Sequence, residues 1–287
     1  MKAIMTRAPL LGLLSTLFVT IAPSGAAAQR SNIVTVGARR AEVIRMGVGR
    51  PTVVLESGAG ESASEWNNVI ADLAKLTHVV AYSRAGHGKS SAGSTPGTPQ
   101  TSVAELHALL QSIGESGPVI LVGHSWGGLL ARLYVSAYPK DVAGLVLVDA
   151  THEAIHSRWQ ALNPSFKIAD TIRALTSKFP AAARADWAQI LPVQDAQAVG
   201  GMKPIPPTLP LAVITAMKPC AAEREFTCRD PRAQAIWRDA HAEWFRQVTT
   251  GIHIVSAQTE HYVMNDQPQL IVQAVTFVLS EARRAKR

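Results

Sequence analysis

The stretch PVILVGHSWGGLLARLYVSAYP, residues 118–139, decides the fold. An apolar run, Val119 to Val122, passes directly into Gly123-His124-Ser125-Trp126-Gly127, and a helix-favouring stretch follows as far as Pro139. The five central residues fit G-x-S-x-G. Glycines flanking a serine permit the sharp, strained turn that lifts its hydroxyl above the end of a strand. The bare pattern is weak, because glycine and serine are common, but its strand-turn-helix setting makes Ser125 a candidate nucleophile. The backbone N–H of Trp126, at the helix start, is then a candidate oxyanion donor.

Outward from this turn, short runs rich in Val, Ile and Leu recur between turn residues: IVTV (33–36), TVVLES (52–57), HVVAYS (78–83), GLVLVD (144–149), PLAVITA (210–216) and IHIVSA (252–257). Near-continuous apolar runs of this length suggest strands covered on both faces. Helical patterns lie between them, at 65–76, 102–113 and 269–284. Strand alternating with helix predicts an α/β fold with a mostly parallel, doubly wound sheet. From Thr151 to about Thr208 the rhythm breaks: no strand-like run occurs, alanines and aromatics abound, and KPIPPTLP closes the interval. This reads as a helical cap inserted between two strands, about 151–208.

The chain resembles the α/β-hydrolase family over residues 33–284. GHSWGG carries the resemblance, with SGAG after the strand at 52–57, where the family has H-G-x-x-G, and YSRAGHGKS, where it often has D-R-x-G-x-G-x-S. Ser57 stands in place of the histidine and Ser83 in place of the aspartate. The resemblance implies that the Ala59 N–H is the second oxyanion donor; a backbone donor does not depend on the altered side chain. It also implies a histidine after the last strand. His261 is the only histidine in the loop QTEHY and is the candidate base.

The acid that orients the base is less direct. The family usually carries it after the strand matching PLAVITA, where this chain has Met217-Lys218-Pro219-Cys220 and no acid before Glu223. Relatives such as haloalkane dehalogenases place it one strand earlier, which implies Asp149 here; Asp230 is the next choice. Asp149 also opens the segment DATHEAIH, where His152, Glu153 and His156 fit the zinc-protease pattern H-E-x-x-H. The extended zinc pattern fails, since Trp159 and Leu162 stand at its further offsets, so no metal site is expected. GHGKSS (86–91) ends like a phosphate-binding loop, but position 83 is serine where glycine is required. No cofactor is expected.

Taken together, these residues predict a serine hydrolase that cleaves a small or medium carboxylic ester through an acyl-enzyme, with Ser125, His261 and Asp149 as triad. Aminopeptidase and lactonase remain alternatives on the same fold. An aminopeptidase would want acidic residues in the insert to hold a substrate amine, for which Glu153, Asp170, Asp186 and Asp195 are candidates. A non-catalytic ligand-binding relative and, least of all, a zinc peptidase through His152, Glu153 and His156 are the alternatives of other classes.

Residues 1–28 read as a secretory leader: Lys2 and Arg7, an apolar stretch from Leu10 to Ile21, then Ala26-Ala27-Ala28 before Gln29. The expected location is the periplasm or outside the cell, with no membrane span after leader removal. There Cys220 and Cys228 are expected to pair as one disulfide. The formal charge of +7 comes partly from the leader and from the tail EARRAKR, with no basic stripe interleaved with aromatics, so nucleic acid is not an expected partner. A small-molecule ester is.

Overall fold

The computed structural model describes residues 31–93, 97–115, 117–167, 169–170, 176–177, 179–220 and 226–285. The expected leader lies outside them. Eight strands form one sheet: β1 (Ser31–Val36), β2 (Arg39–Met46), β3 (Val53–Glu56), β4 (Val79–Tyr82), β5 (Val119–His124), β6 (Val142–Val148), β7 (Leu211–Ala216) and β8 (Gly251–Ser256). Their spatial order is β1-β2-β4-β3-β5-β6-β7-β8. β2 pairs antiparallel with β1 and β4, and every pairing from β4 to β8 is parallel. Among the described residues the helices with defined ends are α1 (Ile70–Leu73), α2 (Pro99–Ser112), α3 (Trp126–Ala137), α4 (Ile155–Leu162), α5 (Ala181–Ala196), α6 (Phe226–Arg229), α7 (Pro231–Phe245), α8 (Val263–Asp266) and α9 (Pro268–Arg284).

The sheet is doubly wound because its central strands are apolar at successive positions, and a period of two sends alternate residues to opposite faces. Leu121, Leu145, Leu147 and Val213 pack beneath α2, α3 and Trp244 of α7. Ile120, Val122, Val146, Val148 and Ile214 pack on the other face against Trp66, Ile70 and the α9 residues Ile271, Val275 and Val278. Strand order reverses between β3 and β5, and ligand sites of open α/β sheets lie beyond the carboxyl ends at such a switch.

Two elements depart from expectation. β2 was not among the predicted strands: RRAEVIRM buries Glu42, Val43 and Ile44 but leaves Arg40 and Arg45 exposed, so its apolar run is short. The helix expected over 65–76 is reduced to a 3-10 turn, Ala63–Trp66, followed by α1. Trp66, Val69, Ile70 and Leu73 are fully buried, and that packing, with the weak helix formers Asn67 and Asn68 between, overrides continuous helix. Between β6 and β7 the chain carries α4 and α5 and, among the described residues, no strand.

Three glycines seat the turn at Ser125. A Cβ on Gly127 would overlap the carbonyl oxygens of Glu56 and Ser57, one on Gly128 the Cβ of Ala150, and one on Gly123 the Gly127 carbonyl. The start of α3 thus touches the ends of both β3 and β6. Gly127→Ala forces backbone against backbone, so its expected cost is about 2 kcal/mol or more of unfolding free energy in urea, against less than about 1 kcal/mol for Ala137→Gly at the end of the same helix.

Candidate active site

Ser125 is the first residue beyond β5, with φ 51° and ψ −122°. Non-glycine residues in this region cost of order 1–3 kcal/mol and persist where the surroundings over-determine them. Here the Ser125 N–H donates to Val148 O (3.1 Å), and its carbonyl accepts from Gly128 (3.0 Å) and Thr151 (2.9 Å). Its side chain remains partly accessible. Across the parallel register His124 faces Val148, so Asp149 follows β6 just as Ser125 follows β5. Asp149 also has positive φ, 41°, and its N–H donates to Ile214 O on β7 (2.8 Å).

Asp149 is buried, and each of its carboxylate oxygens has a defined partner. Oδ2 lies 2.7 Å from His261 Nδ1. Oδ1 accepts from Trp237 Nε1 (2.7 Å) and from the Ala216 N–H (2.9 Å). Burial would raise the carboxyl pKa, but the hydrogen bond and charge of His261, with the hydrogen bond from Trp237, hold it below the ordinary value. His261 is half exposed, and its Nδ1–H tautomer follows from the carboxylate it faces. Among the described residues neither His261 Nε2 nor Ser125 Oγ has a hydrogen-bond partner. Asp230 is elsewhere: it caps α7 and is held by Arg232 through 2.7 and 3.1 Å contacts.

The segment Ser57-Gly58-Ala59-Gly60 follows β3. Ser57 Oγ donates to Ser62 O (3.0 Å) and accepts from Trp66 Nε1 (2.9 Å), so it pins the loop locally. Arg84, buried, donates to Glu56 Oε1 (2.6 Å), to the carbonyls of Ser57 and Gly58, and to Asp186 Oδ2 of α5 (2.5 Å). Asp186 also accepts from the Gly60 N–H (3.1 Å). The backbone amides of Ala59 and Trp126 donate to nothing among the described residues. Ser83 donates to Glu42 Oε2 (2.8 Å), which also accepts from the Lys89 N–H (3.0 Å); Glu42 thus brings a carboxylate from β2 to this corner. That bond occupies an amide of GHGKSS that a phosphate cradle would need.

The H-E-x-x-H residues are engaged differently. Glu153 takes the fork of Arg132 on α3, at 2.6 and 3.1 Å. His152 is buried against the Trp244 ring, its Nδ1 accepting from the Ala154 N–H (3.1 Å). Burial alone pushes His156 down to about 3. Cys220 and Cys228 form a disulfide, with Cα atoms 5.6 Å apart.

Reasoning from sequence missed the support behind Asp149. α7 brings Trp237 to the carboxylate and His241 beneath it; His241 Nε2 donates to Ala150 O (2.9 Å) while Nδ1 accepts from Thr215 Oγ1 (2.7 Å). Burial holds the His241 imidazole neutral, with a pKa of about 4. A helix beginning Asp230-Pro231 was a usable signal. The partners of Trp237 were not, since they lie 88 positions apart.

A sequence model described as alpha/beta hydrolase fold matches residues 51–202. The chain belongs to the alpha/beta hydrolase family. It is 34% identical over 163 residues to lipase LipV of Mycobacterium tuberculosis, covering 54% of this chain and 59% of that one. It is 33% identical over 105 residues to the protein YqjL of Bacillus subtilis, covering 37% and 42%. The chain therefore spans less than two thirds of the length of these relatives. A thermophilic esterase from Thermogutta terrifontis shares the fold at a TM-score of 0.62 and 17% identity, over 88% of this chain and 99% of the esterase.

The Arg132 fork gives one expected outcome. Burial raises the Glu153 pKa, but Arg132 outweighs it and holds the carboxyl at about 2, against 4.5 ordinarily. The pair therefore contributes fully above pH 4.5 and is lost as the pH falls toward 2. Glu153→Gln, which strands a buried guanidinium, is expected to lower the urea unfolding free energy by about 2–3 kcal/mol at pH 7 and by much less at pH 3.

Proposed function

We propose that this chain is a serine hydrolase of small or medium carboxylic esters, with Ser125 as nucleophile, His261 as general base and Asp149 as the residue that orients it. The observation carrying this reading is the placement of Asp149: a buried carboxylate, fixed by Trp237 and the Ala216 amide, 2.7 Å from His261 Nδ1, at the strand end beside a serine in a strained turn. In the proposed sequence His261 Nε2 takes the Ser125 proton as Oγ attacks the ester carbonyl. The amides of Ala59 and Trp126 stabilise the oxyanion. The imidazolium, held by Asp149, then protonates the leaving alcohol. Water, activated by the same imidazole, releases the acid from the acyl-enzyme.

An ester is favoured over a peptide with a free amino end because the buried candidate carboxylates near the insert are already engaged, Glu153 by Arg132 and Asp186 by Arg84. Beside Asp149 stand stacked rings, Trp159 on Trp237 with centroids 5.6 Å apart, which suit an apolar acyl or alcohol group. A serine nucleophile does not suit the epoxide and haloalkane chemistry that this family performs with aspartate. The Cys220–Cys228 disulfide supports an oxidising compartment, which agrees with reading residues 1–28 as a cleaved export leader. The insert at about 151–208 is read as a cap over the site.

Two experiments test this reading on the purified protein. Fluorophosphonate labelling is expected in the wild type and absent in Ser125→Ala; no labelling, with chelator-sensitive proteolysis instead, would overturn it. Against p-nitrophenyl butyrate, Asp149→Asn is expected to lower kcat by about 10³-fold while Asp230→Asn stays within about twofold. The reverse pattern would reassign the acid.

A further inference from the structure

We propose that Glu65 and His124 form a positioning pair that sets the base loop and the oxyanion loop at their distances from Ser125; this rests on the serine-hydrolase reading above. Neither residue needs to touch the reacting atoms. His124 precedes Ser125 in the chain, and the side chains of His124 and Glu65 are 1% and 2% exposed. His124 Nδ1 lies 2.5 Å from Glu65 Oε1, and the other carboxylate oxygen, Oε2, accepts from the Gly58 N–H at 3.0 Å. On the far side of the ring, His124 Nε2 lies 2.9 Å from the backbone carbonyl of His261.

The chemistry of these partners fixes the protonation of the ring. A carboxylate and a carbonyl only accept hydrogen bonds, so both ring nitrogens must donate and His124 is an imidazolium. The groups facing it are Glu65, Asp149, His261 and Tyr262, whose ring centroid is 5.5 Å away. Burial opposes the charge, but Glu65, the His261 carbonyl and Asp149 outweigh it and raise the pKa above the ordinary histidine value. Burial likewise opposes ionisation of Glu65, and His124 with the Gly58 amide holds that carboxyl below its ordinary value.

A rigid ring with two donors on opposite edges is a strut of fixed length. One end holds the loop that carries the base, the other reaches through Glu65 to the loop whose next residue, Ala59, offers an oxyanion amide. Gly58 permits this reach, since a Cβ there would stand 3.0 Å from His124 Nδ1. The strut itself is anchored to the residue before the nucleophile. Displacements of about 1 Å at a reacting centre can cost about 10²-fold in rate, so the pair bears on kcat rather than on substrate affinity.

The test measures kcat, KM and their pH profiles with p-nitrophenyl butyrate, and the rate of fluorophosphonate labelling, in four proteins. They are the wild type, His124→Gln, Glu65→Gln and the double variant Glu65→Leu/His124→Met. The double variant removes both charges together, so it is expected to fold even if His124→Gln does not, since apolar replacement of a buried pair is often neutral in stability. In His124→Gln and the double variant kcat and labelling rate are expected to fall by about 30-fold or more, with KM within about twofold. Glu65→Gln can keep every contact with a neutral ring, its amide donating to Nδ1 and its oxygen accepting from Gly58. It is expected to retain kcat within about threefold.

The pH profile supplies a readout that a purely structural pair would not move. As pH rises through the raised pKa of His124, one donor is lost and the bare nitrogen faces an acceptor, so wild-type kcat is expected to decline on the alkaline side. In Glu65→Gln that decline is expected to vanish, because the ring is neutral throughout. Folded His124→Gln or double variant with kcat within about twofold of wild type, or an alkaline limb unchanged in Glu65→Gln, would overturn the inference. If the wild type itself is not labelled by fluorophosphonate, the serine-hydrolase reading fails and this inference with it; labelling at equal rates in all four proteins sinks the inference alone.

Discussion

The start of α3 lies so close to the ends of β3 and β6 that side chains at positions 123, 127 and 128 would collide with backbone or with Ala150. Most other features of the site depend on that approach. It bends the chain at Ser125 into φ 51° and sets Gly127 against the carbonyls of Glu56 and Ser57 at the end of β3. It also lets the Ser125 carbonyl hold the Thr151 amide, which anchors the chain that runs on from Asp149 into the insert. Parallel register does the rest: Ser125 and Asp149 each follow the last paired residue of adjacent strands, and both are forced to positive φ. The strain is distributed over two strand ends that pack too tightly to relax it.

What could be read from the residues follows from which forces are local. Strands β3 to β7 announced themselves because both their faces are buried, which makes the runs continuously apolar. β2 did not, because its exposed arginines interrupt the run, and the helix expected over 65–76 failed because burial of Trp66 and Ile70 decides that segment. Asp149 was legible as an acid ending a strand, yet Asp230 stayed open beside it. Only the fold reveals that Asp230 caps α7 while Asp149 meets His261. The H-E-x-x-H pattern resolves through Arg132, a residue on another helix with no sequence signal linking it to Glu153.

Three buried cation–carboxylate sets surround the site: Arg84 with Glu56 and Asp186, Arg132 with Glu153, and His124 with Glu65. Such pairs are poor sources of stability, because desolvation consumes most of their attraction. Their common feature is that each joins segments of different origin. Arg84 links the loop after β4 to the loop after β3 and to α5, Arg132 links α3 to the start of the insert, and His124 links the nucleophile turn to the loops on either side. Apolar contacts at these points would hold the same segments together but let them slide, since dispersion has no preferred direction. Hydrogen-bonded ions have one.

The Arg84 set joins α5 to the loop after β3. Asp186 is the only carboxylate of α5 that reaches the loop after β3 among the described contacts, and it binds both the Gly60 amide and the guanidinium that holds the Ser57 and Gly58 carbonyls. Shifting α5 away would withdraw that carboxylate from two donors at once, leaving Arg84 balanced by Glu56 alone in a buried setting. A buried guanidinium left with less countercharge is costly because it stays desolvated. Asp186 and Arg84 therefore tie the position of α5 to the loop that carries Ala59.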